Sequence, residues 1–327
     1  MYFLIGISLL FAYLYAVNLG ASLLSAAVWK VMAKYTLGMR RRSRADPLFV
    51  LRALPLAAAL VLSLALLVPS FLLFEPHESD ETVSYKLAFV VGISLLGIGA
   101  AAARIFASWW RTRRLTAAWL NEAEEFELQA SSLPAFRIEH SFPVLAVIGV
   151  LRPRIFVATQ VLEALSTAEL NAALAHEIGH ITSRDNVKRV AMRICRDMLV
   201  FPIGESLDKA WLEAAESAAD EFAAGSDHNA LDLASALVKI GRIAPAGSAW
   251  ELPAGAYLTE PNDTSLAARV EDLIDLAGKD SVHGRSGGVQ IYALPIVLLT
   301  LLVLPAFNEN ALYSVHRLTE LVLANLQ

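Results

Sequence analysis

The sequence predicts an α-helical membrane protein with four transmembrane helices, and an α+β domain between the third and the fourth. Three observations carry this prediction. Four long runs are free or nearly free of charge, the segments between them alternate in charge, and one stretch near the middle switches from helical to two-residue periodicity. Of the 327 residues, 56% are hydrophobic, with a mean hydropathy of +0.51. Soluble domains lie nearer about 45–50% apolar, and here the excess is gathered into the four runs.

The first run, Tyr2 to Trp29, contains no charged residue. A bilayer core is crossed by roughly 20 apolar residues in a helix, so this run spans with length to spare. No Lys or Arg precedes it, which argues against a cleaved signal peptide. The second run goes from about Ala53 to Phe74 and the third from about Leu87 to Trp110. The fourth, Val289 to Phe307, carries Pro295 and Pro305. Membrane helices accept proline where neighbouring groups take up the freed carbonyls.

Charge sets the expected orientation. Lys30, Lys34, Arg40, Arg41, Arg42 and Arg44 crowd the first connection, whereas the second reads Glu75-Pro76-His77-Glu78-Ser79-Asp80-Glu81. Arg111, Arg113 and Arg114 follow the third run. The positive-inside rule then places the N-terminus outside the cell membrane and the first connection inside. By the same rule residues 111–288 are cytoplasmic, and a short tail, 308–327, lies outside. Arg104, near the inner end of the third run, is expected to snorkel to the interface rather than to form an ion pair. The net charge of −5, without a basic stripe interleaved with aromatics, argues against nucleic acid as a partner. The bilayer is the expected partner instead.

The organisation that follows is a membrane domain over residues 1–110, a cytoplasmic domain over 111–288, a fourth span over 289–307 and the tail. Within the cytoplasmic part, Leu115 to Ala130 reads as a partly amphipathic helix. Phe136-Arg137-Ile138-Glu139-His140 then alternates as a half-buried strand does, and Val144 to Val150 and Arg154 to Ala158 are short β-branched runs. From Ser166 the pattern turns helical. Ser166-Thr167-Ala168-Glu169 has the form of a capping box, opening a helix expected to reach Thr182. Asp185 is expected to cap a second helix ending near Val200, and a third covers Leu207 to Ala224. Further helices are expected over 230–242 and 264–277, and residues 279–288 read as a Gly/Ser-rich linker.

The chemistry concentrates in His176-Glu177-Ile178-Gly179-His180. Histidines four apart share a helix face and can chelate one zinc ion. Glu177 beside them is placed to serve as a general base toward water activated by that metal. A catalytic zinc needs a third protein ligand, and the third helix offers Glu213, Glu216, Asp220 and Glu221. Glu216 and Asp220 also share a face. Glu216 is assigned as the ligand, and Asp220 as the acceptor for the second ring nitrogen of a bound histidine. For Glu213 and Glu221 a solvated helical face is the better reading. Cys195, the only cysteine, excludes an internal disulfide and reads as a small packing residue. His140 and His283 lack partner spacing, and His77 and His316 lie outside by topology.

These segments together resemble the BlaR/MecR-type integral-membrane zinc peptidases. The resemblance runs through Leu151-Arg152-Pro153-Arg154-Ile155-Phe156-Val157, Leu165-Ser166 to Glu169-Leu170, the His176–His180 motif, Arg184-Asp185-Asn186 and Glu216-Ser217-Ala218-Ala219-Asp220. It covers about Ser141 to Ala224, and the order of spans matches over nearly the whole chain. It implies a zincin-like metallopeptidase domain with one zinc per chain held by His176, His180 and Glu216. It also implies Glu177 as catalytic base and Asp220 and Asp185 as supporting residues. A sister group, the HtpX-like and CAAX-prenyl endopeptidases, shares the His-Glu-x-x-His helix and a Glu-x-x-Ala-Asp block. The short interval from His180 to Glu216 and the Arg-Pro-Arg-Ile-Phe run favour the BlaR/MecR type.

The expected activity is hydrolysis of peptide bonds in protein substrates, a cytoplasmic repressor or a membrane protein, at the inner membrane face. Signalling proteolysis is preferred over HtpX-like quality control. A non-catalytic receptor with a structural zinc is the alternative of another class, and Glu177 argues against it. No Ser-x-x-Lys motif follows the fourth span, so β-lactam sensing by this chain is not expected. His228, Tyr257 and Arg269 are candidate oxyanion stabilisers, and the oligomeric state, a homodimer included, is left open.

Overall fold

In a bilayer a segment must satisfy its own backbone polar groups, and a helix is the one local way to do so. A computed structural model shows how far each helix runs. It describes residues 2–36, 44–76, 84–128, 133–149, 153–199, 201, 203–225, 229–244, 263–278 and 290–326. The linker at 279–288, His77, His228, Tyr257 and His283 lie outside the described residues.

Helix α1 spans Tyr2–Thr36. Helix α2, Ala45–Leu62, passes through a π-helical turn at Ser63–Leu67 straight into α3, Val68–Phe74. Helix α4 spans Tyr85–Glu122. These three crossings are long and apolar enough to span a membrane. Leu64, Leu72, Phe89 and Leu96 are each more than half exposed, as lipid-facing side chains are. Helix α4 also absorbs most of the separate amphipathic helix expected from Leu115, because its Ala- and Leu-rich sequence has no breaker before Glu122.

Where that helix was expected to continue, Glu124–Phe126 forms β1. Strands β2 (Ala135–Ile138), β3 (Leu145–Ile148) and β4 (Arg154–Ala158) complete a four-stranded sheet of order β1-β2-β4-β3. β2 and β4 are parallel, and β1–β2 and β3–β4 are antiparallel. The sheet therefore ends on β3, whose four residues are all buried. A short α5, Thr159–Ala164, leads to α6, Thr167–Thr182. Then follow α7 (Asp185–Asp197), α8 (Glu205–Ala224), α9 (Asn229–Ile243) and α10 (Asp263–Ala277). Ile155, Phe156 and Val157 of β4 pack with Leu174 of α6, Leu237 of α9 and Leu273 of α10 in one core.

Two details of the second helix differ from expectation. Arg184, at φ +56°, holds the cap position, and Asp185 is the first helical residue. The backbone turns too sharply after α6 for Asp185 to sit outside the helix, and this frees its carboxylate for another contact. The helix also stops at Asp197, short of Val200.

Helix α11, Gln290–Val303, runs into a 3₁₀ turn at Leu304–Phe307, and α12 follows over Glu309–Leu326. The axis bends by 94° between them. Pro305 terminates the first helix, and Asn308 Oδ1 accepts the Asn310 N–H at 2.9 Å to start the second. The expected fourth span is thus half of a bent pair, and the straight crossings number three among the described residues.

Ion pairs tie the membrane helices to the domain. Arg52 of α2 is buried and bonds Asp208 of α8 at 2.9 Å. Lys188 of α7 and Tyr292 of α11 both reach Asp46 of α2, at 2.6 and 2.8 Å. Arg104, expected to snorkel, pairs with Asp197 at 3.0 Å while its side chain stays 59% exposed. The buried Asp197 carboxylate needs that cation. Nearby, a Cβ on Gly97 would stand 2.6 Å from the Met198 carbonyl oxygen, so only glycine lets α4 lie this close to the end of α7.

The capping box forms as read. Ser166 Oγ accepts the Glu169 N–H and Glu169 Oε2 accepts the Ser166 N–H at 2.7 Å. The same carboxylate also takes Ser235 Oγ at 2.6 Å and Lys239 Nζ at 2.7 Å, which pins α6 to α9. Burial works against its charge, but Lys239, Ser235 and Ser166 hold it down at about 2. A folded-state value below the ordinary 4.5 means stability that is full above that value and is lost as pH falls toward 2. Lys239 is 41% exposed, so the contribution is discounted for solvent to about 2 kcal/mol. Glu169→Gln is expected to destabilise the protein by about that amount at pH 7, and by progressively less below pH 5. Thermal unfolding in detergent across pH checks both parts.

Candidate metal centre

The capped helix α6 carries His176, Glu177 and His180 into the interior, where the first two are fully buried. One helical turn separates the imidazoles, whose centroids are 4.8 Å apart. Gly179 lies between them on the face toward α8. A Cβ there would meet Ala219 Cα at 3.2 Å and the Phe222 ring at 3.2 Å. The missing side chain lets α8 approach, and that approach delivers Glu216 and Asp220.

Each histidine is held from behind. His176 Nδ1 lies 2.8 Å from Asp220 Oδ1, and His180 Nδ1 lies 2.8 Å from Asp185 Oδ2. With both Nδ1 atoms engaged, both Nε2 atoms face the same point, 3.2 Å apart. Glu216 faces both, with Oε2 3.5 Å from His176 Nε2 and Oε1 3.5 Å from His180 Nε2. A tetrahedral zinc ion with bonds of about 2.0–2.1 Å sets its ligand atoms about 3.3 Å apart. The three donors therefore have the spacing of a zinc site, and His176, His180 and Glu216 form a group able to hold a metal ion.

Charges support this fit. Burial disfavours a protonated His180, yet Glu216 and Asp185 outweigh it and hold the ring at about 10. Burial likewise opposes charge on His176, and Asp220 reverses the balance upward. For Glu216 burial is outweighed by His180 and His176, which keep its carboxyl well below the usual carboxylate range. The centre thus brings imidazoles and a carboxylate together with charges that favour one another, and a divalent cation can take the place of ring protons there. Glu177 behaves in the opposite way. Burial pushes its carboxyl above the carboxylate range, with the two histidines opposing. Its carboxyl faces the two histidines, Glu216 and the Val147 backbone, as suits a group that must exchange protons with a small ligand beside them.

Arg269 of α10 is the residue whose role the sequence did not reveal. Its Nε and Nη2 grip Asp220 at 2.8 and 2.7 Å, and Nη1 lies 3.3 Å from Glu216. The sequence offers it only as one of three candidate oxyanion stabilisers, and in the structure its fork is turned onto these carboxylates. The signal was an arginine on the apolar face of α10 between Leu266 and Leu273, where a buried cation demands an anion. From the other side Arg189 of α7 reaches Glu216 at 3.2 Å.

The remaining candidates fall elsewhere. Glu213 is exposed and Glu221 half-buried, and neither belongs to the histidine–Glu216 group. His140 accepts the Phe142 N–H at 3.1 Å and packs edge-on to Trp119. Cys195 is buried, and burial pushes its thiol up to about 11, which leaves it inert. Beside the metal group runs β3. Its Val147 backbone faces Glu177, and just beyond its end the Gly149 carbonyl accepts Asn186 Nδ2 of α7 at 3.2 Å.

Because Arg269 fixes Asp220 and Asp220 fixes His176, Arg269→Ala is expected to weaken zinc binding about 10- to 100-fold. Arg269→Lys should recover little, since lysine lacks the fork that spans both oxygens. Competition with a chromophoric chelator measures each affinity.

Comparison with known proteins places this geometry in context. Residues 111–244, fewer than half of the chain, match Peptidase family M48. No curated protein matches the chain. The matched segment contains the sheet, α6, α7, α8 and α9, with His176, Glu177, His180 and Glu216; Arg269 lies beyond it. The match supports a metallopeptidase domain, here joined to three helices able to cross a membrane.

Proposed function

We propose that the protein is a membrane-embedded zinc endopeptidase that hydrolyses peptide bonds of protein substrates at the cytoplasmic face of the cell membrane. The convergence of two histidine Nε2 atoms and Glu216 beside a buried Glu177 carries this reading. The family match over residues 111–244 supports the peptidase part of this reading.

His176, His180 and Glu216 would hold the ion, with Asp220 and Asp185 orienting the rings. Bound zinc would lower the pKa of water and polarise the scissile carbonyl. Glu177, whose raised pKa brings it nearer neutrality, takes the proton of the attacking water and returns it to the leaving amine. A substrate strand would add to the outer edge of β3, which has a strand partner on one side only among the described residues and passes Glu177 at Val147, once the groups that bury that edge move aside. Main-chain hydrogen bonds would hold it there with little demand on its side chains. A structural zinc site has no use for a buried acid beside its ligands, so the receptor alternative accounts poorly for Glu177.

We assign the BlaR/MecR type on the segments from Leu151 to Asp220 quoted above, and with it regulated proteolysis of a repressor or membrane protein. HtpX-like quality control is the second reading, favoured by their shared helix motif. Helix α11 with its 3₁₀ turn, about 27 Å long, serves as the fourth crossing.

Glu177→Gln is expected to retain the zinc content of the wild type and to lose at least 100-fold in cleavage rate in membranes. Full activity with zinc retained would refute the mechanism. A substrate trapped on this variant separates the two physiological readings, a soluble repressor for signalling and misfolded membrane proteins for quality control. For the orientation, a cysteine at exposed Glu127 should resist a membrane-impermeant maleimide in intact cells, whereas one at Asn310 should react.

A further inference from the structure

At the far end of α3 a second set of metal-binding side chains comes together. Glu75 ends α3 with a side chain only 4% exposed. His316 and Glu320 stand one turn apart on α12 and face it. One ligand atom from each of the three lies within 4.8 Å of the others. His316 Nδ1 is 3.9 Å from Glu75 Oε2, too long for a hydrogen bond and suited to a shared ion after sub-ångström adjustment.

Other contacts fix the position of these donors. Ser70 Oγ donates to the Leu312 carbonyl at 2.9 Å, and Phe74 packs against Tyr313 and His316 at 5.5 and 6.0 Å. The two helices are therefore docked before any ion is considered, which presents the cluster preformed. Its charge is also favourable. Two carboxylates meet one imidazole beside the last carbonyls of α3, the negative end of that helix. One nitrogen and two oxygens form a donor set for zinc, manganese or iron rather than for calcium or magnesium.

We propose that Glu75, His316 and Glu320 form a second divalent transition-metal site, which clips α12 to the end of α3. It lies about 40 Å along the α2–α3 rod from Asp46, the residue that touches the peptidase half, so the two centres share no ligand. It does not depend on the peptidase reading.

The test uses the full chain in detergent, stripped with chelator and dialysed against micromolar zinc(II), with metal per chain measured by mass spectrometry. The wild type is expected to hold two zinc ions. His316→Ala and Glu320→Gln should each hold one, and His176→Ala combined with His180→Ala should also hold one. Glu320 is only half-buried, so its isosteric variant keeps the test open if His316→Ala fails to fold. Zinc retained at His176 and His180 shows that each variant is folded. One ion in the wild type, lost with the His176 and His180 substitutions, overturns the proposal. So does a second ion that survives both His316→Ala and Glu320→Gln.

Discussion

Two carboxylate–imidazole contacts at 2.8 Å, Asp220 to His176 and Asp185 to His180, organise the centre of this molecule. An imidazole can rotate about two bonds and present either nitrogen, so a pair of histidines on one helix does not make a site by itself. Fixing Nδ1 on each ring leaves Nε2 as the free donor and aims both at Glu216. Much of the surrounding architecture serves these contacts. Gly179 lets α8 near enough for Asp220 to arrive, the left-handed turn at Arg184 swings Asp185 under His180, and Arg269 holds Asp220 from behind.

The same residues connect the centre to the membrane helices. Lys188 bonds Asp46 of α2 and lies 3.8 Å from Asp185, so the support of His180 is one side chain away from a membrane helix. Tyr292 of α11 meets the same Asp46. Arg52–Asp208 and Arg104–Asp197 pin α8 and α7 at two further points. In each pair at least one partner is nine-tenths buried or nearly so, where leaving its charge alone costs several kcal/mol. These contacts fasten the domain to the long apolar helices.

What is legible in the sequence rests on local signals. The capping box at Ser166 and Glu169 and the strand at Arg154–Ala158 are written in adjacent residues, and the structure has both. Glu216 and Asp220 were legible because four-residue spacing puts two acids on one face. What could not be read depends on contacts between distant segments. Strand β1 is three residues long and exists because β2 pairs with it, so its sequence alone continues the helix before it. Asp185 looks like a cap until the turn at Arg184 is known. Arg269 lies 49 residues beyond Asp220, and only the buried face of α10 marks it.

The central claim is that two oriented imidazoles and one carboxylate hold the metal. X-ray absorption at the zinc edge of the Glu320→Gln chain, loaded with one equivalent of zinc, reads that coordination directly. Two imidazole nitrogens and carboxylate or water oxygens at about 2.0–2.1 Å, unchanged by Cys195→Ser, are predicted. A shell with sulfur at about 2.3 Å, or one with no imidazole scattering, would contradict the account.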